Sequence, residues 1–177
     1  MSKTVLAWHF LANNRKLRDG RNVPRVGVWL KHDGPVAMCD SGLHASRKIT
    51  DALHYAPGGI ICRVECRDIV EERGDKLVCR ERRGLWWLDA NDLLRVFARR
   101  CALDVVHLWK VPDVVVRYLK TGDDSLRSAA NSAANSAADS AAYYAAYYAA
   151  DSAAYSAALA KQERRLVAMV RAARRAS

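Results

Sequence analysis

The chain has 177 residues and 29 Lys and Arg against 19 Asp and Glu, a formal charge of +10, of which residues 1–120 carry +8 and the rest +2. Thirty of its apolar residues are alanines, which add little to a core, so one ordinary domain belongs in the first two thirds with an appendage behind it. No apolar run nears the roughly 20 residues that cross a bilayer, and five scattered cysteines point to reduced thiols rather than a disulfide framework; a soluble, intracellular protein with an acidic partner is the expectation.

Val5 to Leu11 is apolar enough for a buried strand, and the polar stretch Asn13 to Asn22 reads as a loop. A second strand is expected at Arg25 to His32, where Val26, Val28 and Leu30 alternate with Gly27, Trp29 and Lys31. Asp33-Gly34-Pro35 turns the chain. Ser46 stands where it can cap a short helix with Ile49, Ala52, Leu53 and Ala56 on one face, and Pro57-Gly58-Gly59 stops it.

Ile60 to Arg67 alternates, with Ile60, Cys62, Val64 and Cys66 on one side and Ile61, Arg63, Glu65 and Arg67 on the other. That is a half-buried strand. After Gly74-Asp75, Lys76 to Arg82 alternates again, and Leu85-Trp86-Trp87-Leu88 continues the sheet. A helix begins at Asp89 or Asn91, with Leu93, Leu94, Phe97, Ala98 and Cys101 inward and Arg95, Arg99 and Arg100 outside or along its edge. Leu103 to Trp109 fits either state. Pro112 suits the first turn of a helix through Lys120, although Val114-Val115-Val116 would equally suit a strand. Thr121-Gly122-Asp123-Asp124 marks a boundary, giving an α+β domain at 1–120, with a largely antiparallel sheet and two or three helices, and a tail at 121–177.

The tail carries alanine doublets every four residues from 129/130 to 157/158. Alanine has the highest helix propensity and no Gly or Pro follows Gly122, so one helix of about 50 residues, on the order of 75 Å, is predicted. A four-residue repeat drifts in the sense opposite to a heptad, so this is no heptad coiled coil. Tyr143, Tyr144, Tyr147, Tyr148 and Tyr155 fall on one side, opposite most of the alanines. Small side chains let another helix approach closely, so self-association into a homo-oligomer, or docking of a protein partner, is expected through the Ala/Tyr helix. A solvated spacer whose tyrosines fold back on residues 1–120 is the alternative. At the end, Leu166, Met169 and Val170 oppose Arg164, Arg171 and Arg175, an amphipathic basic segment whose charge also suits a helix C-terminus.

Cys39, His44, Cys62, Cys66 and Cys79 lack metal-ligand spacing, with no C-x-x-C among them, so no metal is expected. Nucleotide-binding glycine loops and nucleophile elbows are absent as well. Arg80, Arg82, Arg83, Arg95, Arg99 and Arg100, with Trp86 and Trp87 between them, suit nucleic acid or a nucleoprotein, although adjacent tryptophans after a strand also suit a core.

Gly42-Leu43-His44-Ala45-Ser46, followed by Ala52, Tyr55 and Ala56 and then by Ile60 to Glu65, resembles the nicotinamide-holding segment of the ADP-ribosyltransferase fold. That resemblance implies an NAD-using enzyme that modifies a macromolecule, with His9 on the ribose, His44 and Tyr55 in the pocket and Glu81 as the catalytic glutamate. A longer resemblance runs from Trp8-His9-Phe10 through Cys39 to Ser46 and Ala52 to Gly58, and on to Gly74-Asp75-Lys76-Leu77-Val78-Cys79. This segment is similar to a family of uncharacterised phage and bacterial proteins, often with alanine-rich tails. It implies a phage or prophage context and the bacterial host cytoplasm, and the family brings no activity.

The expected function is therefore non-catalytic, without a cofactor. The basic domain recognises a host or phage macromolecule, in that context a bacterial defence complex to be inhibited, and the helix mediates association. Arg95, Arg99 and Arg100 are the residues expected to meet an acidic partner, and Tyr143, Tyr144, Tyr147 and Tyr148 to make helix contacts. The NAD-using enzyme and a nucleic-acid-binding module are the alternatives.

Overall fold

A computed structural model describes residues 4–17, 19–108, 110–134 and 152–176, the side chains of the last segment from residue 156. The strands are β1 (Val5–Leu11), β2 (Trp29–Lys31), β3 (Leu43–Ala45), β4 (Ile60–Arg73) and β5 (Lys76–Asp89). The helices are α1 (Ile49–His54), α2 (Asn91–Val105), α3 (Asp113–Thr121) and α4 (Ser152–Ala176). The fold is α+β, with an antiparallel sheet and a long C-terminal helix. The tyrosines at 143, 144, 147 and 148, and most of the alanine repeat, lie outside the described residues.

The chain divides into two compact units, residues 1–91 with 166–177, and residues 92–165. The boundary expected at 120 falls inside the second unit, and the end of α4 belongs with the first.

In the first unit β4 and β5 form a long hairpin, with β1 on the far side of β4 and β2 and β3 along the free edge of β5, all antiparallel. The next residue after β3, Ser46, exchanges both backbone hydrogen bonds with Trp8 of β1, at 2.7 and 2.9 Å. The sheet thus curls until β3 and Ser46 bring its two edges together. Ser46 extends the sheet and does not cap α1; Lys48 takes that place without a side-chain bond. Entry into β3 requires Gly42. Its φ is +106°, and a Cβ there would come within 2.8 Å of both Val36 and Val78.

The inward face holds the core: Val5, Ala7, Ala45, Val64, Cys66, Leu77 and Cys79 with their neighbours. The alternation of β4 places Cys62, Val64 and Cys66 inward as read from the sequence. β2 is shorter than expected, because Gly27 takes φ +85° and gives its N–H to Gly84, which leaves Val26 and Val28 exposed.

In the second unit the 103–109 ambiguity resolves as helix through Val105, followed by a 3-10 turn at Val106–Leu108. Val114, Val115 and Val116 are helical in α3, which Pro112 opens and the left-handed Gly122 closes. Asp104 of α2 pairs with Arg165 at 2.8 Å and Lys161 at 3.3 Å.

Candidate functional site

The outward face of the sheet is built by register. Trp8 of β1 stands opposite Arg63 of β4, and Arg63 stands opposite Trp86 of β5, so one row runs Trp–Arg–Trp across three strands. A register shift beside Arg63, with Leu85 as the extra residue of β5, sets Trp86 opposite Arg63 and Trp87 opposite Cys62. Strand alternation puts the two neighbouring tryptophans on different faces. Trp87 packs against the inward core, and Trp86 meets Trp8 edge-on, with centroids 5.8 Å apart and an interplanar angle of 81°.

Arginines cover this row. Arg63 lies 4.5 Å from the Trp8 ring centre, and Arg174, from the end of α4, lies 4.5 Å from that of Trp86. The following rows carry Trp29 between the guanidinium groups of Arg67 and Arg83, at 4.1 and 4.7 Å. Here carboxylates balance the charge. Arg83 donates to Glu65 at 2.7 Å, and Glu81 accepts from Arg67 and pairs with Lys31 at 3.3 Å. These cations hold the Glu81 carboxyl below its ordinary range, the Arg67 hydrogen bond foremost.

The first row opens onto a cleft. Trp8, Arg63, Trp86, Val170, Arg171, Arg174 and Arg175 line an open cleft of about 530 Å³, a size suited to a nucleotide. Among the described residues, no acidic group comes within ion-pair distance of Arg63, Arg171 or Arg175. Burial and the nearby charge of Arg171 draw the Arg63 guanidinium below its usual pKa. Guanidinium groups gathered around apolar rings form a receptor for anions carried on flat groups.

The residues singled out in the sequence are dispersed. Glu81 lies on the outward face in its ion pairs, whereas His9 points inward with Cys62 and is half-buried. His44 lies near enough to His9 for its charge to be felt there, and its Nε2 accepts the Cys39 N–H at 3.1 Å. Tyr55 is exposed, donating to Asp75 and facing Lys76. These four side chains do not gather in one cleft. Arg95 pairs with Asp92 at 3.4 Å, Arg99 lies where a Gly122 side chain would stand, and Arg100 is exposed, all in the second unit. The arginine group read from sequence also divides. Arg82 and Trp87 face inward, and Arg80 donates to the Gly34 carbonyl at 3.0 Å. Among the described residues no three His, Cys, Asp or Glu side chains are placed to hold a metal ion, and no helix is long and apolar enough to cross a membrane.

Sequence reasoning missed the combination of Trp8, Arg63 and Trp86 with Arg171, Arg174 and Arg175. The alternation of β4 does set Arg63 outward, but the pairing with α4 depends on a contact some ninety residues away in the chain.

A family model covers residues 5–96, which takes in every strand of the sheet and more than half of the chain. The chain belongs to the family described as Domain of unknown function (DUF7666). No curated protein and no solved structure matches it. The DUF7666 segment contains Trp8, Arg63 and Trp86; the arginines at 171, 174 and 175 lie beyond it.

Proposed function

We propose that this protein is a non-catalytic binder of single-stranded nucleic acid, and that the cleft between the sheet and the end of α4 is where the strand sits. The observation that carries the reading is the grouping of Arg63, Arg171 and Arg175 around Trp8 and Trp86, with no carboxylate in ion-pair range of these three arginines among the described residues. Phosphates meet the guanidinium groups, and an unpaired base finds an indole on which to stack. A duplex keeps its bases stacked on one another and offers none to the indoles, so single strands are favoured.

The test is titration of the full chain with fluorescein-labelled oligothymidylate and with a duplex of the same length, at several salt concentrations. Binding of the single strand that weakens steeply with salt and quenches tryptophan fluorescence supports the reading. Equal affinity for the duplex, or binding indifferent to salt, overturns it.

A second reading concerns the tail. The alanine doublets and the tyrosines at 143, 144, 147 and 148 support self-association or docking of a protein partner, independently of the cleft. The resemblance to phage proteins supports a prophage setting in a bacterial cytoplasm, where the bound macromolecule would belong to the host, a defence complex included. The NAD-using enzyme draws support from the approach of His9 to His44, and none from Tyr55 and Glu81 where they stand.

A further inference from the structure

On the opposite side of the sheet from the cleft, the interior of the curl contains a charge. Arg82 is 7% exposed, and only it and Ser46 are buried polar residues among those described. Its cross-strand neighbours are Cys66 and Leu30, and its Nη1 donates to the His44 carbonyl. Among the described residues no carboxylate lies within ion-pair distance of it. A guanidinium removed from water and flanked by apolar side chains is strongly disfavoured unless an opposite charge joins it.

Among the described residues the internal candidate is the Cys79 thiol, whose pKa is drawn down chiefly by its hydrogen bond with Cys66 and also by Arg82. Yet Cys79 donates its S–H to the Leu43 carbonyl at 3.2 Å, a bond that a thiolate could not make. The Cys66 thiol is pushed up, first by the same hydrogen bond and then by burial, and burial raises Cys62 to about 11. The bond to Leu43 describes Cys79 as a thiol.

What the interior does offer is room. Arg82 and His9 line a small, partly open cavity of about 20 Å³ whose other lining residues run from the buried Leu11 and Cys62 to the exposed Val28. That volume admits a water-sized guest and nothing as large as a nucleotide. Burial, followed by the charges of Arg82 and His44, keeps His9 neutral near pH 7, and a neutral imidazole still carries one N–H donor. We propose that the cavity holds a small monovalent anion, a halide or formate, between the Arg82 guanidinium and the His9 imidazole. This site is separate from the outward cleft and stands whether or not nucleic acid binds there.

The test is thermal unfolding of the full chain at constant ionic strength, with sodium chloride or sodium formate replacing sodium gluconate, whose anion is too large to enter. The expected result is a saturable rise in Tm of about 3 °C in chloride and in formate. The same response in the Arg63→Gln/Arg171→Gln variant assigns it to the interior. Loss of the response in that variant would move the anion to the outward cleft and overturn the proposal, as would identical unfolding in all three salts, the result expected if a thiolate neutralises Arg82. Arg82→Met abolishes the response if it folds. For the unmodified protein, chloride-35 linewidths supply a second reading: excess broadening that formate displaces and gluconate does not is expected, and its absence counts against the site.

Discussion

Arg63 stands directly opposite Trp86 in the β4–β5 register and yet lays its guanidinium over Trp8, on the strand at its other side. One side chain thus ties three strands together while keeping its charge at the mouth of the cleft. Arg171, itself on the rim, opposes that charge. An arriving anion relieves the repulsion, which makes the cleft more receptive than its exposed position alone suggests.

Arg63→Gln and Arg171→Gln should each weaken single-strand binding. Each should also flatten the dependence of log affinity on log salt by about 0.7, the value for one phosphate contact on a single strand. Titrations at three or more salt concentrations measure both quantities; a lower affinity with an unchanged slope would mean that the side chain does not meet a phosphate.

Trp86→Leu should cost about 1–3 kcal/mol of binding, as loss of one stacked base does elsewhere. Its indole lies outside the inward core, so the fold should survive. Fluorescence anisotropy gives the affinity and circular dichroism checks the fold.

Stability should fall with acid in a window set by His9. Its pKa is lowered in the folded protein, so below about pH 6.5, the ordinary histidine value, the unfolded chain takes up a proton that the native state refuses. Above that value this group contributes no pH dependence; below it, stability declines until pH reaches the folded pKa. Urea midpoints between pH 5 and 7.5 should show the decline, and His9→Gln should remove it.

Gly42→Ala should destabilise the first unit by roughly 2 kcal/mol or more. It adds a methyl group against Val36 and Val78 and forces a side chain into the left-handed region. The urea midpoint reads the loss directly, and a change within a few tenths of a kcal/mol would show that the β3 entry can relax.

Replacing Tyr143, Tyr144, Tyr147 and Tyr148 together with alanine should reduce the mass in solution to that of a single chain while helical circular dichroism persists. Sedimentation equilibrium decides it. An unchanged mass would remove the tyrosines from the association.

Much of the sheet was legible because period-two alternation states which side of β4 is inward, and Cys62, Val64 and Cys66 obey it. The curl was not, since it depends on Ser46, whose side chain favours a helix cap and whose backbone instead bridges Trp8. The separation of Trp86 from Trp87 across the sheet follows from strand alternation, but the row that Trp86 joins is set by the register shift beside Arg63. Residues 171–175 advertised their charge plainly, and no local pattern could announce which surface they would border. His9 and Glu81 suited an enzyme by order along the chain, an order that carries no information about which face each side chain takes.

The bridge from Ser46 to Trp8 also bears on how this molecule meets others. At that point β1 has hydrogen-bonded neighbours on both flanks, β4 on one and Ser46 on the other. A foreign strand finds no vacant row of amide groups there to extend. Complexes formed at this part of the surface must be made by side chains, and a mutation that loosened the bridge would expose an aggregation template in the middle of β1.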